Sequence, residues 1–77
     1  MTYKEFAKII KEKRQDLNIT QKEMAKRLYV SNSKYNKIEN GLREPNFELL
    51  VRILKTLDIN LDYYIKKEKP KYFLYFD

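Results

Sequence analysis

The fold is decided between positions 20 and 41: Thr20-Gln21-Lys22-Glu23-Met24-Ala25-Lys26-Arg27-Leu28-Tyr29-Val30-Ser31-Asn32-Ser33-Lys34-Tyr35-Asn36-Lys37-Ile38-Glu39-Asn40-Gly41. Thr20 with Glu23 three residues on is a capping box, hydroxyl first and carboxylate reaching back. Met24, Ala25 and Leu28 follow at helical spacing, so a short helix is expected over about 21–28. Ser31 caps a second helix over 32–39, with Tyr35 and Ile38 on its inner face. Asn40-Gly41 stops it, since glycine suits the left-handed backbone that follows a helix end. Only Tyr29 and Val30 remain to join the pair. Helices joined so tightly need a small residue where they cross, which Ala25 supplies. They also need apolar residues at the turn and on the second inner face, which Val30, Tyr35 and Ile38 supply. The segment reads as a helix-turn-helix.

Working outward, Thr2-Tyr3-Lys4-Glu5 is another capping box, and Phe6, Ile9 and Ile10 carry a first helix to about Asp16. Pro45-Asn46 opens a fourth helix, with Phe47, Leu50, Ile53, Leu54 and Leu57 expected along one face. Asn60 caps a short fifth helix over Leu61, Tyr64 and Ile65, and Pro70 ends helical character. The closing run Lys71-Tyr72-Phe73-Leu74-Tyr75-Phe76 is aromatic and reads as a strand. The expected fold is all-α, a five-helix domain over residues 1–66 with a C-terminal strand-like tail over 67–77.

Composition narrows the function. With 77 residues, 43% hydrophobic and 36% charged, one small core is the limit. There is no cysteine for a disulfide or zinc site and no histidine to act as general base. No catalytic residue, metal set or cofactor can be named, so an enzyme is not expected. The net charge of +6 suits a polyanion and is uneven. Residues 1–43 carry eleven basic and five acidic groups, residues 44–65 two and four, and residues 66–77 four and two. A basic face joined to a slightly acidic body fits a binding surface with a separate association side. No apolar run approaches 18 residues and no signal-like stretch follows the N-terminus, so no membrane partner is expected and the compartment is read as the cytoplasm. Asn18-Ile19-Thr20 matches a glycosylation sequon but is read as chance.

The ordered set Thr20-Gln21-x-Glu23-Met24-Ala25-x-x-Leu28-x-Val30-Ser31, then Tyr35-x-x-Ile38-Glu39-Asn40-Gly41-x-x-x-Pro45, resembles the Cro and phage-repressor (Xre-type) helix-turn-helix family. The resemblance spans about residues 3–66, with Arg14 ahead of the motif and Leu57-x-Ile59-Asn60-Leu61-Asp62 behind it. It implies a lambda-repressor-like DNA-binding domain. It also implies a homodimeric transcription regulator on a pseudo-palindromic double-stranded operator, most simply a repressor that occludes a promoter.

In such a domain the third helix enters the major groove with its N-terminal part toward base edges. Asn32, Ser33, Asn36 and Lys37 are then the expected base contacts, since Asn pairs with adenine and Lys with guanine. Gln21, Ser31, Asn40 and Arg43 are the expected phosphate contacts, with Lys22 and Lys34 adding only to the field. Capping alone would also account for Ser31 and Gln21, and a solvated surface for Arg43. The resemblance makes Arg14 and Glu39 a structural ion pair tying the first helix to the end of the third.

Two positions depart from the family pattern. Tyr29 stands where a turn glycine is usual, so either the turn avoids positive φ or it is strained. Tyr35 replaces a small aliphatic residue, which calls for a wider interhelical gap or a phenol reaching the surface. Dimerisation is expected through Leu61, Tyr64 and Ile65 and through Tyr72, Leu74 and Phe76 of the tail. An exposed aromatic strand needs a cover, either a second copy or helices of its own chain. An antitoxin or restriction-controller autoregulator with a protein partner, and a protein-interaction module that keeps the fold without reading DNA, are the alternatives. Membrane-surface binding ranks below them, because the core needs the apolar face of the first helix.

Overall fold

The computed structural model describes residues 1–68, with side chains through Tyr64. The strand expected over 71–77, with Tyr72, Leu74 and Phe76, lies outside the described residues, as does the Ile65 side chain. Five helices are described: α1 (Tyr3–Asp16), α2 (Gln21–Arg27), α3 (Asn32–Glu39), α4 (Phe47–Leu57) and α5 (Leu61–Glu68). Each of the first four starts on a side-chain cap. Thr2, Thr20, Ser31 and Asn46 accept from the N–H groups of Glu5, Glu23, Lys34 and Leu49 at 3.2, 3.1, 3.0 and 2.8 Å. These bonds satisfy donors that have no partner inside the helix. Asn60 Oδ1 accepts from Asp62 N–H at 3.0 Å where α5 begins.

The same four helices end alike. One or two residues past each end the backbone turns left-handed, and two N–H groups bond back across that position. Asn18, Tyr29, Gly41 and Asp58 hold φ of 58°, 58°, 77° and 54°. Their successors Ile19, Val30, Leu42 and Ile59 donate to the carbonyls of Arg14, Ala25, Lys37 and Leu54. Ile19 and Ile59 drive into the core and Val30 packs on its edge, while Leu42 stays 72% exposed. Asn, Asp and Gly tolerate this backbone, but a bulky side chain pays about 1–2 kcal/mol for it. The turn between α2 and α3 therefore adopts positive φ at Tyr29 and carries strain there.

The core gathers Phe6 and Ile10 of α1, Met24 and Ala25 of α2, Tyr35 and Ile38 of α3, and Leu49, Ile53 and Leu57 of α4. α3 packs against both α2 and α1, and α4 packs against α1. One expectation for α4 is corrected. Phe47 is 81% exposed, and the buried stripe is Leu49, Ile53 and Leu57, with Leu50 and Leu54 half-buried beside it. At 3.6 residues per turn, Phe47 lies about 120° around the helix from the middle of that stripe, and so faces outward. No described helix is long and apolar enough to cross a membrane.

Candidate nucleic-acid interface

Ala25 of α2 is fully buried, in one core cluster with Leu28, Tyr35 and Ile38, and α2 packs against α3. This packing turns the opposite side of α3 outward, so Asn32, Ser33, Asn36, Lys37 and Asn40 are all exposed. Ser31 at the start of α3 and Arg43 in the loop after it are exposed as well. Ser31 Oγ accepts the Lys34 N–H and still has a hydroxyl proton to give. The expected base contacts thus lie on the exposed side of α3, with Ser31 and Arg43 exposed before and after it. Leu42, equally exposed, borders Arg43 without any charge of its own.

Beneath that surface lies a buried ion pair. Arg14 Nε and Nη2 donate to Glu39 Oε2 and Oε1 at 2.7 and 2.9 Å, with side-chain exposures of 9% and 0%. Arg14 also donates through Nη1 to the Ile19 carbonyl, so its fork is used on three sides. Burial alone would push the Glu39 carboxyl up. The hydrogen bonds from Arg14 and then from its other neighbours outweigh burial and hold it below the usual carboxylate range. The Arg14 guanidinium is raised in turn, chiefly by its hydrogen bond to Glu39.

Tyr35 resolves the second departure from the pattern. Its ring is fully buried and its hydroxyl does not reach the surface. The hydroxyl is enclosed next to the Glu39 carboxylate, which it helps to hold ionised. Burial, the largest cause, pushes its pKa well up. Tyr3 Oη donates to the Ile38 carbonyl at 2.7 Å, and desolvation, helped by Glu44 and Glu39, pushes that phenol up to about 12. Neither phenol had been expected in this cluster. Tyr3 sits 35 residues from Ile38, and no local pattern signals such a bond.

The ion pair is wired to the outer surface. Gln21 Nε2 donates to Glu39 Oε1 at 3.1 Å, Asn36 Nδ2 donates to Gln21 Oε1 at 3.2 Å, and Asn40 Nδ2 donates to Asn36 Oδ1 at 3.1 Å. Gln21 is half-buried and keeps one N–H for another acceptor. Asn32, Ser33, Lys37 and Arg43 stand outside this chain of bonds.

The expected association residues are divided. Leu61 is 37% exposed, whereas Tyr64 is half-buried with its ring edge-on to Phe6 at 6.5 Å. Tyr63, not singled out from sequence, is the exposed ring at 58% and meets Tyr64 edge-on. Among the described residues, no three carboxylates gather where they could hold a metal ion.

Known proteins place this architecture. A helix-turn-helix family model matches residues 10–64. An uncharacterised helix-turn-helix-type transcriptional regulator of Bacillus subtilis, YqaE, is 36% identical over 63 residues, 82% of this chain and 54% of that protein. The helix-turn-helix-type transcriptional regulator ImmR of the same organism is 31% identical over 62 residues, 80% of this chain and 49% of that protein. The chain thus spans about half the length of these relatives. No solved structure gives a significant match. The matched span contains both helices of the motif, the buried ion pair and the exposed face of α3, and the chain belongs to the Cro and phage-repressor type of helix-turn-helix proteins.

Proposed function

We propose that this chain binds double-stranded DNA sequence-specifically and regulates transcription, as a homodimer that represses by occluding a promoter. The observation that carries this reading is the exposed polar side of α3. Asn32, Ser33, Asn36 and Lys37 stand there between Ser31 at one end and Asn40 and Arg43 at the other. A helix with this surface fits the major groove, its amides and lysine meeting base edges while flanking groups meet phosphates. The basic excess of residues 1–43 supports it, since counterion release favours association with the duplex. Both relatives are named transcriptional regulators, which supports the regulatory part. Action on DNA places the protein in the cytoplasm. One helix-turn-helix reads only a few base pairs, so two copies on a pseudo-palindromic operator supply the remaining specificity.

Selection from a randomised duplex pool tests the reading. The expected product is two related half-sites with centres about 34–36 Å apart, or one helical turn. Recovery of sequences no different from the starting pool would overturn it.

A further inference from the structure

Glu39, ionised against Arg14, can only accept hydrogen bonds. A side-chain amide facing it must present nitrogen, so Gln21 turns Nε2 inward at 3.1 Å and Oε1 outward. That outward oxygen needs a donor, and Asn36 meets it with Nδ2 at 3.2 Å. Asn36 Oδ1 is thereby left on the other side, where Asn40 Nδ2 donates to it at 3.1 Å. Three amides that would flip freely in isolation share one polarity, set by a buried carboxylate. Asn36 uses one of its two N–H groups and one oxygen lone pair in this relay. One donor and one acceptor remain for an outside partner.

We propose that Gln21 is a positioning residue that locks the Asn36 amide in one orientation, so that Asn36 distinguishes A·T from T·A at one base pair of each half-site. The inference rests on the DNA-binding reading above. Adenine presents an N6–H donor beside an N7 acceptor in the major groove, and inverting the pair reverses their order along the groove. An amide free to flip matches either order. One held by Gln21, whose own amide is turned by Glu39, matches a single order.

The test uses the full chain and duplexes carrying the half-site selected from the randomised pool. Loss of preference in Asn36→Ala identifies the base pair, which is then presented as A·T, T·A and G·C. The unchanged protein is expected to prefer one orientation by about tenfold, the scale of one bidentate contact. In Gln21→Met the ratio of the two orientations should fall to about twofold or less, with preference over G·C retained. A lost phosphate contact at Gln21 would weaken both orientations equally and leave the ratio alone. Gln21→Ala, which also removes the amide, reads the same ratio should Gln21→Met unfold. A tenfold ratio preserved in a folded Gln21 variant overturns the inference and leaves the DNA-binding reading standing. Unchanged base preferences in an Asn36→Ala protein that still selects its operator overturn it through Asn36 itself. Failure to select any sequence removes the functional reading beneath it.

Discussion

Arg14 and Glu39 meet through two parallel hydrogen bonds of 2.7 and 2.9 Å, which fasten α1 to the last residue of α3. Removing one partner strands the other charge in a site where it has almost no access to water. Glu39→Ala should cost about 3–5 kcal/mol. DNA binding should be lost through unfolding, visible as lost helical circular dichroism. Replacing both partners by apolar side chains, Arg14→Met with Glu39→Leu, should recover most of that stability because no unpaired charge remains. A double variant as unstable as Glu39→Ala would contradict this account.

The turn between α2 and α3 balances strain against stacking. Tyr29 holds φ 58°, and the Arg52 guanidinium lies 5.6 Å from its ring centroid. Relief of the left-handed penalty is worth about 1–2 kcal/mol, of which glycine returns about 0.4–1 through a freer unfolded chain. The exposed cation–π contact adds about 0.5–1 kcal/mol to the tyrosine form. Tyr29→Gly should therefore be nearly neutral in the unchanged protein but stabilising by about 0.5–1 kcal/mol when Arg52 is already Ala. Thermal unfolding of the four proteins of this cycle gives the coupling directly. Equal effects of Tyr29→Gly in both backgrounds would show that Arg52 and Tyr29 do not interact.

Stability should fall at both ends of the pH scale. The folded Glu39 carboxyl is held below its ordinary value, so its contribution is present above that value and is lost as pH falls through the folded one. Tyr3 is displaced upward, from 10.0 to about 12, so its contribution is complete below 10 and is lost as pH rises toward 12. Tyr35 shifts in the same direction. Tyr3→Phe should be less stable at neutral pH, because the Ile38 carbonyl loses its donor. The gap should then narrow between pH 10 and 12. Comparing the two proteins by urea denaturation cancels every pH effect they share. A gap that stays constant over that interval would exclude a Tyr3 contribution.

Base and backbone contacts on α3 and its following loop should separate by assay. Lys37→Ala should relax preference at one base pair per half-site, at a cost of about 1–3 kcal/mol if Lys37 meets guanine. Arg43→Ala should weaken binding on all sequences and flatten the dependence of log affinity on log salt by roughly one unit per subunit. Fluorescence anisotropy across a salt series measures both. Uniform weakening by Lys37→Ala would make it a backbone contact, and an unchanged salt slope for Arg43→Ala would remove Arg43 from the interface.

Capping and spacing are local, and they were legible in the sequence. A hydroxyl or amide at Thr2, Thr20, Ser31 or Asn46 needs only the N–H three residues on, so the helix starts followed from short-range chemistry. The small Ala25 and the stop at Gly41 likewise identified the crossing and its end. Helix rotation was not legible, because it depends on which side chains the neighbouring helices cover. That is why Leu49 lies inside and Phe47 outside, although both are apolar. The left-handed backbone at Tyr29 was imposed by the bonds from Tyr29 N–H to Lys26 and Val30 N–H to Ala25, which the fold holds despite the side chain. The relay joins residues 18 and 15 positions apart, from Glu39 to Gln21 and from Gln21 to Asn36. Only the packing of α2 on α3 brings those amides within bonding distance, and only then can a buried carboxylate set their direction.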